Sequence, residues 1–309
     1  MRLFPTILAL TCTTASVALA APPAVVTDLP VTGSLVAMVM GDLGTPHVLL
    51  PQGGDAHDYQ LRPSDAAALQ GADLLIWIGP EMTPWLDRAA GQIARGDSLA
   101  LLGVQGTHRQ TFGAGEQDHP HDDHSHDHDH EHEHSGTDPH AWLNPHNAQV
   151  WLAAIHDALT AADPDNAATY AANAQAAAAQ IEALDNRITA QLAPVAGKPF
   201  VVMHDAYGYF TAHYGLMPAI PVSLGDAAAP SAAQIAAIRA QISARDVGCI
   251  FPEPISNPRL IAAITEGTAI RTGAPLDPEG TAQDQGATLY PTLMIALADT
   301  LRMCLVDTP

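Results

Sequence analysis

Three histidines lie where an α/β protein places its ligand-binding groups. His57, His140 and His204 each stand in a loop beyond or at the end of a predicted strand, and Asp277 follows the last predicted strand. Loops past the carboxyl ends of parallel strands are where open α/β sheets bind ligands. Imidazole nitrogen and carboxylate oxygen form a borderline-soft donor set that suits Zn²⁺ in tetrahedral geometry, whereas Mn²⁺ prefers more oxygen. The pattern therefore predicts a zinc site built from these four side chains, two from each half of the chain.

Acidic residues accompany each of the three histidines. Asp58 follows His57, Asp138 precedes His140 by two residues, and Asp205 follows His204. A carboxylate that accepts the second ring N–H of a metal-binding imidazole fixes its tautomer and orientation. The sequence leaves open which of these acids has that role.

A separate segment, Glu116–His134, consists largely of histidine alternating with Asp and Glu. It has almost no apolar residue and cannot contribute to a core, so we predict a disordered, solvated loop over 116–136. The loop either collects or senses zinc at many weak sites, or is a solvated insertion with incidental metal affinity. We expect it to bind zinc weakly and to be dispensable for the tight site. Its auxiliary histidines are His119, His121, His124, His126, His128, His130, His132 and His134.

Short apolar runs alternate with helical patterns, which predicts parallel sheets made of right-handed strand–helix–strand units. The Ala-rich run inside 163–193 lacks Gly and Pro from Tyr170 to Leu192, which favours one long helix. We therefore predict an α/β protein of two lobes, 21–162 and 194–309, joined by a rigid helix over 163–193, with the metal site in the cleft between them. The predicted strands are 24–28, 47–51, 73–79, 99–102, 200–205, 219–223, 249–251 and 270–275.

The N-terminus and the cysteines indicate the compartment. Residues 1–20 combine Arg2, an apolar run and a small-x-small ending at Ala20, which is typical of a cleaved signal peptide and predicts a periplasmic protein. Cys249 and Cys304 would then remain in an oxidising compartment, where two cysteines favour one disulfide over two buried thiols.

Bulk charge excludes some partners. The chain has 33 acidic residues against 12 Lys and Arg, which argues against nucleic acid and anionic membrane as partners. No later segment has an apolar run long enough to cross a membrane, so we expect no membrane insertion.

Several motifs in order along the chain resemble the zinc-specific solute-binding proteins of ABC importers (ZnuA type, in the metal-binding cluster of such proteins). The resemblance implies two α/β lobes joined by one long helix, zinc in the cleft, a His-rich loop before the second metal histidine, and a Cys249–Cys304 disulfide. It maps the three metal histidines onto His57, His140 and His204. The motifs are Gly54–Asp65, Trp77–Met82, Asp138–Pro145, His204–Phe210 and Phe251–Pro254.

One departure concerns the fourth ligand. Some members of this family carry a Glu directly before the first metal histidine, where this chain has Ala56. Asp277 matches the position of a fourth carboxylate in related metal-binding proteins. The expected fourth ligand is therefore Asp277, then a water molecule, then a histidine of the loop.

The predicted function is capture of Zn²⁺ by a monomeric, non-enzymatic protein that hands the ion to the membrane permease of an ABC importer. Alternatives are a manganese- or iron-binding protein of the same fold and a zinc storage protein or metallochaperone. A zinc hydrolase is disfavoured because the chain has neither an H-E-x-x-H helix nor a G-x-S-x-G elbow.

Overall fold

The computed structural model describes residues 21–112, 136–223 and 230–306 of the 309-residue chain. The predicted signal peptide and the eight auxiliary histidines lie outside these ranges. The described residues form two sheets of four parallel strands each, flanked by helices.

The first sheet contains β1 (Val25–Thr27), β2 (His47–Val48), β3 (Leu74–Trp77) and β4 (Asp97–Ala100), in the order β2-β1-β3-β4. The central strands β1 and β3 are buried along their whole length, as expected when helices cover both faces of a parallel sheet. The connecting helices α1 (Pro30–Met40), α2 (Pro63–Gly71) and α3 (Pro84–Gln92) all begin at a proline. Proline fits the first helical turn because the N–H it lacks would have no partner within the helix there.

The second sheet repeats the arrangement with β5 (Phe200–His204), β6 (Ile220–Ser223), β7 (Cys249–Phe251) and β8 (Arg271–Thr272), in the order β6-β5-β7-β8. Its helices are α6 (Gly208–His213), α7 (Ala232–Ala244), α8 (Pro258–Thr265) and, at the C-terminal end, α9 (Leu289–Leu305). The strand order reverses between β5 and β7, and ligands of open α/β sheets bind at such a reversal.

A long helix joins the two lobes. After α4 (Pro145–Ala162) and a short 3₁₀ turn, α5 runs over Ala167–Leu192 for 26 residues, or about 39 Å. It packs against α1 and α4 of the first lobe and against α9 of the second. The buried side chains of these helices form one apolar cluster with residues of both sheets. The predicted two-lobe architecture with a long joining helix is confirmed.

A disulfide between Cys249 and Cys304 ties the start of β7 to the last turn of α9 and confirms the predicted pairing. Within the described ranges, the helices are all too short or too polar to cross a membrane.

Candidate metal centre

Four side chains converge in the cleft between the two lobes. His57 and His140 come from the first lobe and His204 and Glu279 from the second, and one donor atom from each lies within 4.8 Å of the other three. A cavity of about 330 Å³ opens beside them and is lined by residues of both lobes, including His57, His204 and Glu279. The structure thus brings together the three predicted histidines and adds a carboxylate that the sequence analysis did not identify.

The donor atoms are spaced somewhat more widely than in a metal-bound site. Glu279 Oε1 lies 3.3 Å from His204 Nε2 and 3.9 Å from the Nε2 atoms of His57 and His140. With metal–ligand bonds of about 2.0–2.1 Å, the ligand atoms of a tetrahedral zinc site lie roughly 3.3–3.4 Å apart. The three imidazole rings form a nearly equilateral triangle, with centroids 5.3, 5.4 and 5.7 Å apart. The donors would therefore have to move closer together to bind a zinc-sized ion.

The donor atoms are buried. The side chain of His140 is fully buried, and those of His57, His204 and Glu279 are 13%, 14% and 12% exposed. Among the described residues, the Nε2 atoms of His140 and His204 and Oε1 of Glu279 make no hydrogen bond of good geometry. Buried polar atoms of this kind are costly unless a ligand satisfies them, so the cluster has the character of a binding site.

His140 is oriented from within its own loop. Its Nδ1 lies 2.8 Å from Oδ1 of Asp138, and the same oxygen accepts from its backbone N–H. The other oxygen of Asp138 accepts from Gln110 Nε2, and Tyr209 Oη donates to the Asp138 carbonyl. With Nδ1 donating to a carboxylate, the lone pair of Nε2 faces the centre of the cluster. Asp138 therefore has the role that the sequence analysis considered for it.

His204 is oriented by a residue that the sequence analysis did not consider. Its Nδ1 lies 2.8 and 2.9 Å from the two carboxylate oxygens of Glu253, which follows β7. Tyr207 Oη donates to the same carboxylate at 3.3 Å. Because β5 and β7 are neighbours, His204 and Glu253 face each other at the reversal of strand order. This strand adjacency was the signal available to find Glu253.

His57 sits on a tight turn. Asp55 Oδ1 accepts from the backbone N–H groups of His57 and Asp58, and Trp85 Nε1 donates to the carbonyl of Ala56 at 2.9 Å. The position that holds Glu in some members of the resembled family is occupied here by the buried Ala56, so it carries no charge. The carboxylate of the cluster comes instead from the opposite lobe.

At the fourth position the structure differs from the sequence analysis. Asp277, the expected fourth ligand, does not belong to the cluster, and Glu279 supplies the carboxylate that does. The carboxylate of Asp277 accepts instead from the backbone N–H groups of Thr281 and Ala282 and closes the turn that carries Glu279. Asp in an Asp-Pro-x-Gly turn commonly caps backbone amides in this way, which was the available sequence signal.

The segment that carries Glu279 is also tied to the first lobe. Gly53 N donates to the carbonyl of Thr281 at 2.8 Å, and Trp142 Nε1 donates to the carbonyl of Pro278 at 2.8 Å. Gln52 Nε2 donates to the carbonyl of Gln283 at 3.3 Å. Glu279 therefore belongs to the second lobe by sequence but is fixed against both lobes.

The electrostatics of the cluster favour a carboxylate beside a cation. Burial raises the pKa of Glu279, but the 3.3 Å contact with His204, its positive charge and the nearby imidazoles of His140 and His57 outweigh burial and lower the pKa to about 2. Burial lowers the pKa of His204, but its contacts with Glu253 and Glu279 outweigh burial and hold it well above 6.5. Burial and the neighbouring carboxylates raise the pKa of Tyr207, so its hydroxyl stays protonated and donates. The cluster is poised to exchange a proton for a metal cation.

Comparisons with known proteins give the family. The profile described as zinc-uptake complex component A, periplasmic (ZnuA), matches residues 25–304. The high-affinity zinc uptake system protein ZnuA of Paracoccus denitrificans is 56% identical over 299 residues and covers 92% of both chains. The protein of the same name from Brucella abortus is 38% identical over 296 residues and covers 88% of both chains.

Solved structures agree on the fold. A zinc-bound ZnuA deletion mutant superposes with a TM-score of 0.77 at 23% identity, over 93% of this chain and 100% of that chain. A Mn-bound periplasmic metal binding protein from Candidatus Liberibacter asiaticus superposes with a TM-score of 0.73 at 20% identity, over 92% of this chain and 99% of that chain. This fold thus occurs with different metals, and the ligand set has to decide between them. On the match over residues 25–304 and the identity to full-length relatives, the chain belongs to the ZnuA family, zinc-uptake complex component A.

Proposed function

We propose that this protein captures Zn²⁺ outside the cytoplasmic membrane and delivers it to the membrane permease of an ABC importer. The observation that carries the proposal is the convergence of three imidazoles and one carboxylate in the cleft, with their donor atoms within 4.8 Å of one another. His57, His140, His204 and Glu279 are the proposed ligands. The transported ion is the ligand of the protein, and no resident cofactor is proposed.

Zinc is favoured over manganese and iron by the donor atoms. Three nitrogens and one oxygen in a tetrahedral arrangement suit Zn²⁺, whereas Mn²⁺ prefers more oxygen ligands and a higher coordination number. The relatives from Paracoccus denitrificans and Brucella abortus are both named as high-affinity zinc uptake proteins, which supports the same assignment here.

Binding is favoured over catalysis by the number of protein ligands. Catalytic zinc sites hold the ion with three protein ligands and keep a fourth position for water or substrate. Here Glu279 offers a fourth protein donor, with its Oε1 at 3.3 Å from His204 Nε2, and this supports a site closed by protein ligands. We therefore propose a non-enzymatic protein.

The proposed compartment is the periplasm, reached by cleavage of the predicted signal peptide after Ala20. The Cys249–Cys304 disulfide supports an oxidising compartment. We propose that the mature protein acts as a monomer, since the four ligands come from one chain.

The test of the function uses metal-free mature protein and competition with a zinc chelator, which keeps weak surface sites empty. We expect one tight equivalent of zinc, and binding of the zinc-loaded protein to liposomes that contain the cognate importer. Manganese at the same concentration should not compete. Tight binding of several equivalents without importer binding would favour storage, and the absence of a tight equivalent would overturn the proposal.

The histidine-rich segment is proposed to be an auxiliary, weak zinc-binding loop. Deletion of residues 116–134 should remove the weak equivalents and leave the tight one, because none of the four clustered ligands lies in that segment. Loss of the tight equivalent in the deletion variant would show that the loop completes the site.

A further inference from the structure

Glu253 contacts the metal cluster through the ring of His204. Both of its carboxylate oxygens face Nδ1 of His204, at 2.8 and 2.9 Å, and its side chain is 11% exposed. It lies 49 residues from His204 along the chain, and it is not one of the four residues whose donor atoms converge.

The carboxylate of Glu253 is itself held in place. The hydroxyl of Tyr207, which is buried, donates to Oε1 at 3.3 Å. The backbone N–H of Glu253 donates to Ser256 Oγ at 2.7 Å, and the Ser256 N–H donates back to the Glu253 carbonyl. A side chain fixed at both ends loses little freedom when it orients a neighbour, so Glu253 can impose one orientation on the ring of His204.

The two lobes orient their histidines by different means. In the first lobe, Asp138 stands two residues before His140 in the same loop and holds it locally. In the second lobe, the orienting carboxylate comes from the adjacent strand β7, so the orientation of His204 depends on the pairing of β5 with β7. The ring also lies 3.3 Å from the proposed ligand Glu279 through its other nitrogen.

We infer that Glu253 is a positioning residue for zinc capture: its carboxylate fixes the Nδ1–H tautomer of His204, so that the Nε2 lone pair faces the ion. This inference rests on the proposed function, since it assigns a role within the same site. A neutral or shorter side chain at position 253 lets the ring of His204 rotate or take the other tautomer, in which Nε2 carries the proton and cannot bind metal.

The matched test is Glu253→Gln in the full mature protein, which keeps the size of the side chain and removes its charge. We expect zinc affinity, measured by chelator competition, to fall about 10- to 100-fold, as is typical when the hydrogen-bond partner of a metal-binding histidine is lost. Glu253→Asp keeps the charge but shortens the reach and should also weaken binding. Glu266→Gln, the same chemical change at an exposed acid, is the control and should bind as the wild type does.

A spectroscopic measurement separates positioning from general damage. In the Co²⁺-loaded wild type, NMR should show slowly exchanging, strongly shifted N–H protons that include those on Nδ1 of His140 and Nδ1 of His204. In Glu253→Ala, which leaves Nδ1 of His204 without the acceptor at position 253, the His140 signal should persist while the His204 signal disappears or exchanges rapidly with solvent. Loss of both signals would indicate unfolding of the site and would overturn the specific role.

The outcomes distinguish this inference from the function itself. If the wild type does not bind zinc tightly, the proposed function fails. If the wild type binds tightly and Glu253→Ala binds equally well with both N–H signals intact, the function stands and the role of Glu253 is refuted.

Discussion

Replacement of Glu279 by Gln tests which carboxylate completes the metal site. Gln keeps the length of the side chain and an oxygen that can face the ion, but removes the negative charge. Because Glu279 Oε1 lies 3.3–3.9 Å from three buried nitrogens, an ion bound by them would be within bonding distance of this oxygen. The variant therefore isolates the contribution of charge at the fourth position.

The magnitude follows from the distances. A dication and a carboxylate about 3 Å apart interact by roughly 11 kcal/mol at an effective dielectric constant of about 20. Burial costs the carboxylate several kcal/mol, and an amide oxygen or water takes over part of the coordination in the variant. A net loss of about 3 kcal/mol remains, which corresponds to a zinc dissociation constant roughly 100-fold higher.

The assay is chelator competition on metal-free protein, with Asp277→Asn as the matched control. The carboxamide oxygen introduced by this substitution can still accept from the N–H group of Thr281, so zinc affinity should change by less than about fivefold, or ~1 kcal/mol. Thermal unfolding of the metal-free variants checks that both remain folded. A larger loss in Asp277→Asn than in Glu279→Gln would refute the assignment and restore Asp277 as the ligand.

Three further outcomes follow from other features. The pKa of Asp28 is raised by burial from 3.8 to about 6, so the folded state binds this proton more tightly than the unfolded state does. The free energy of unfolding should therefore fall as pH rises from about 4 to about 6. In urea unfolding, the free energy of unfolding of Asp28→Asn relative to the wild type should rise by about 3 kcal/mol between pH 4 and pH 7. The pKa of His204 is held well above 6.5, so zinc should release about one proton at pH 7 and bind more tightly as pH rises, as calorimetry in two buffers would show. The double variant Cys249→Ser, Cys304→Ser, which opens a 55-residue loop, should lose about 4 kcal/mol of unfolding free energy and keep its zinc affinity.

The fold was predictable because its local and global signals agree. Each of the eight strands overlaps its predicted range, although β4 (Asp97–Ala100) begins two residues before the predicted 99–102. Helices begin at Pro30, Pro63 and Pro145, where proline suits the first turn. The long helix α5 follows from the helix propensity of alanine. Strand ends were less predictable: β8 covers two residues of the six expected, because pairing with β7 ends at Thr272.

The site residues that could be predicted are those identified by their residue type and their place at the end of a strand. His57, His140 and His204 could be found because parallel strands bring their carboxyl ends to one edge. Asp277 and Glu279 lie two residues apart, and the sequence does not show which of them accepts from the backbone N–H groups of the turn. That depends on the backbone geometry of the turn itself, where Asp277 is the acceptor. Glu253 lies in the Phe251–Pro254 motif, but its contact with His204 depends on the pairing of β5 with β7, which the motif alone does not show.

The hydrogen bonds between the Glu279 segment and the first lobe are separate from the metal-binding atoms. Gly53, Trp142 and Gln52 hold this segment through backbone carbonyls, and none of these bonds involves a donor atom of the cluster. The link between the lobes through this segment therefore uses none of the four donor atoms. A dication bound at the cluster would add up to two units of positive charge to the cleft without competing for these bonds.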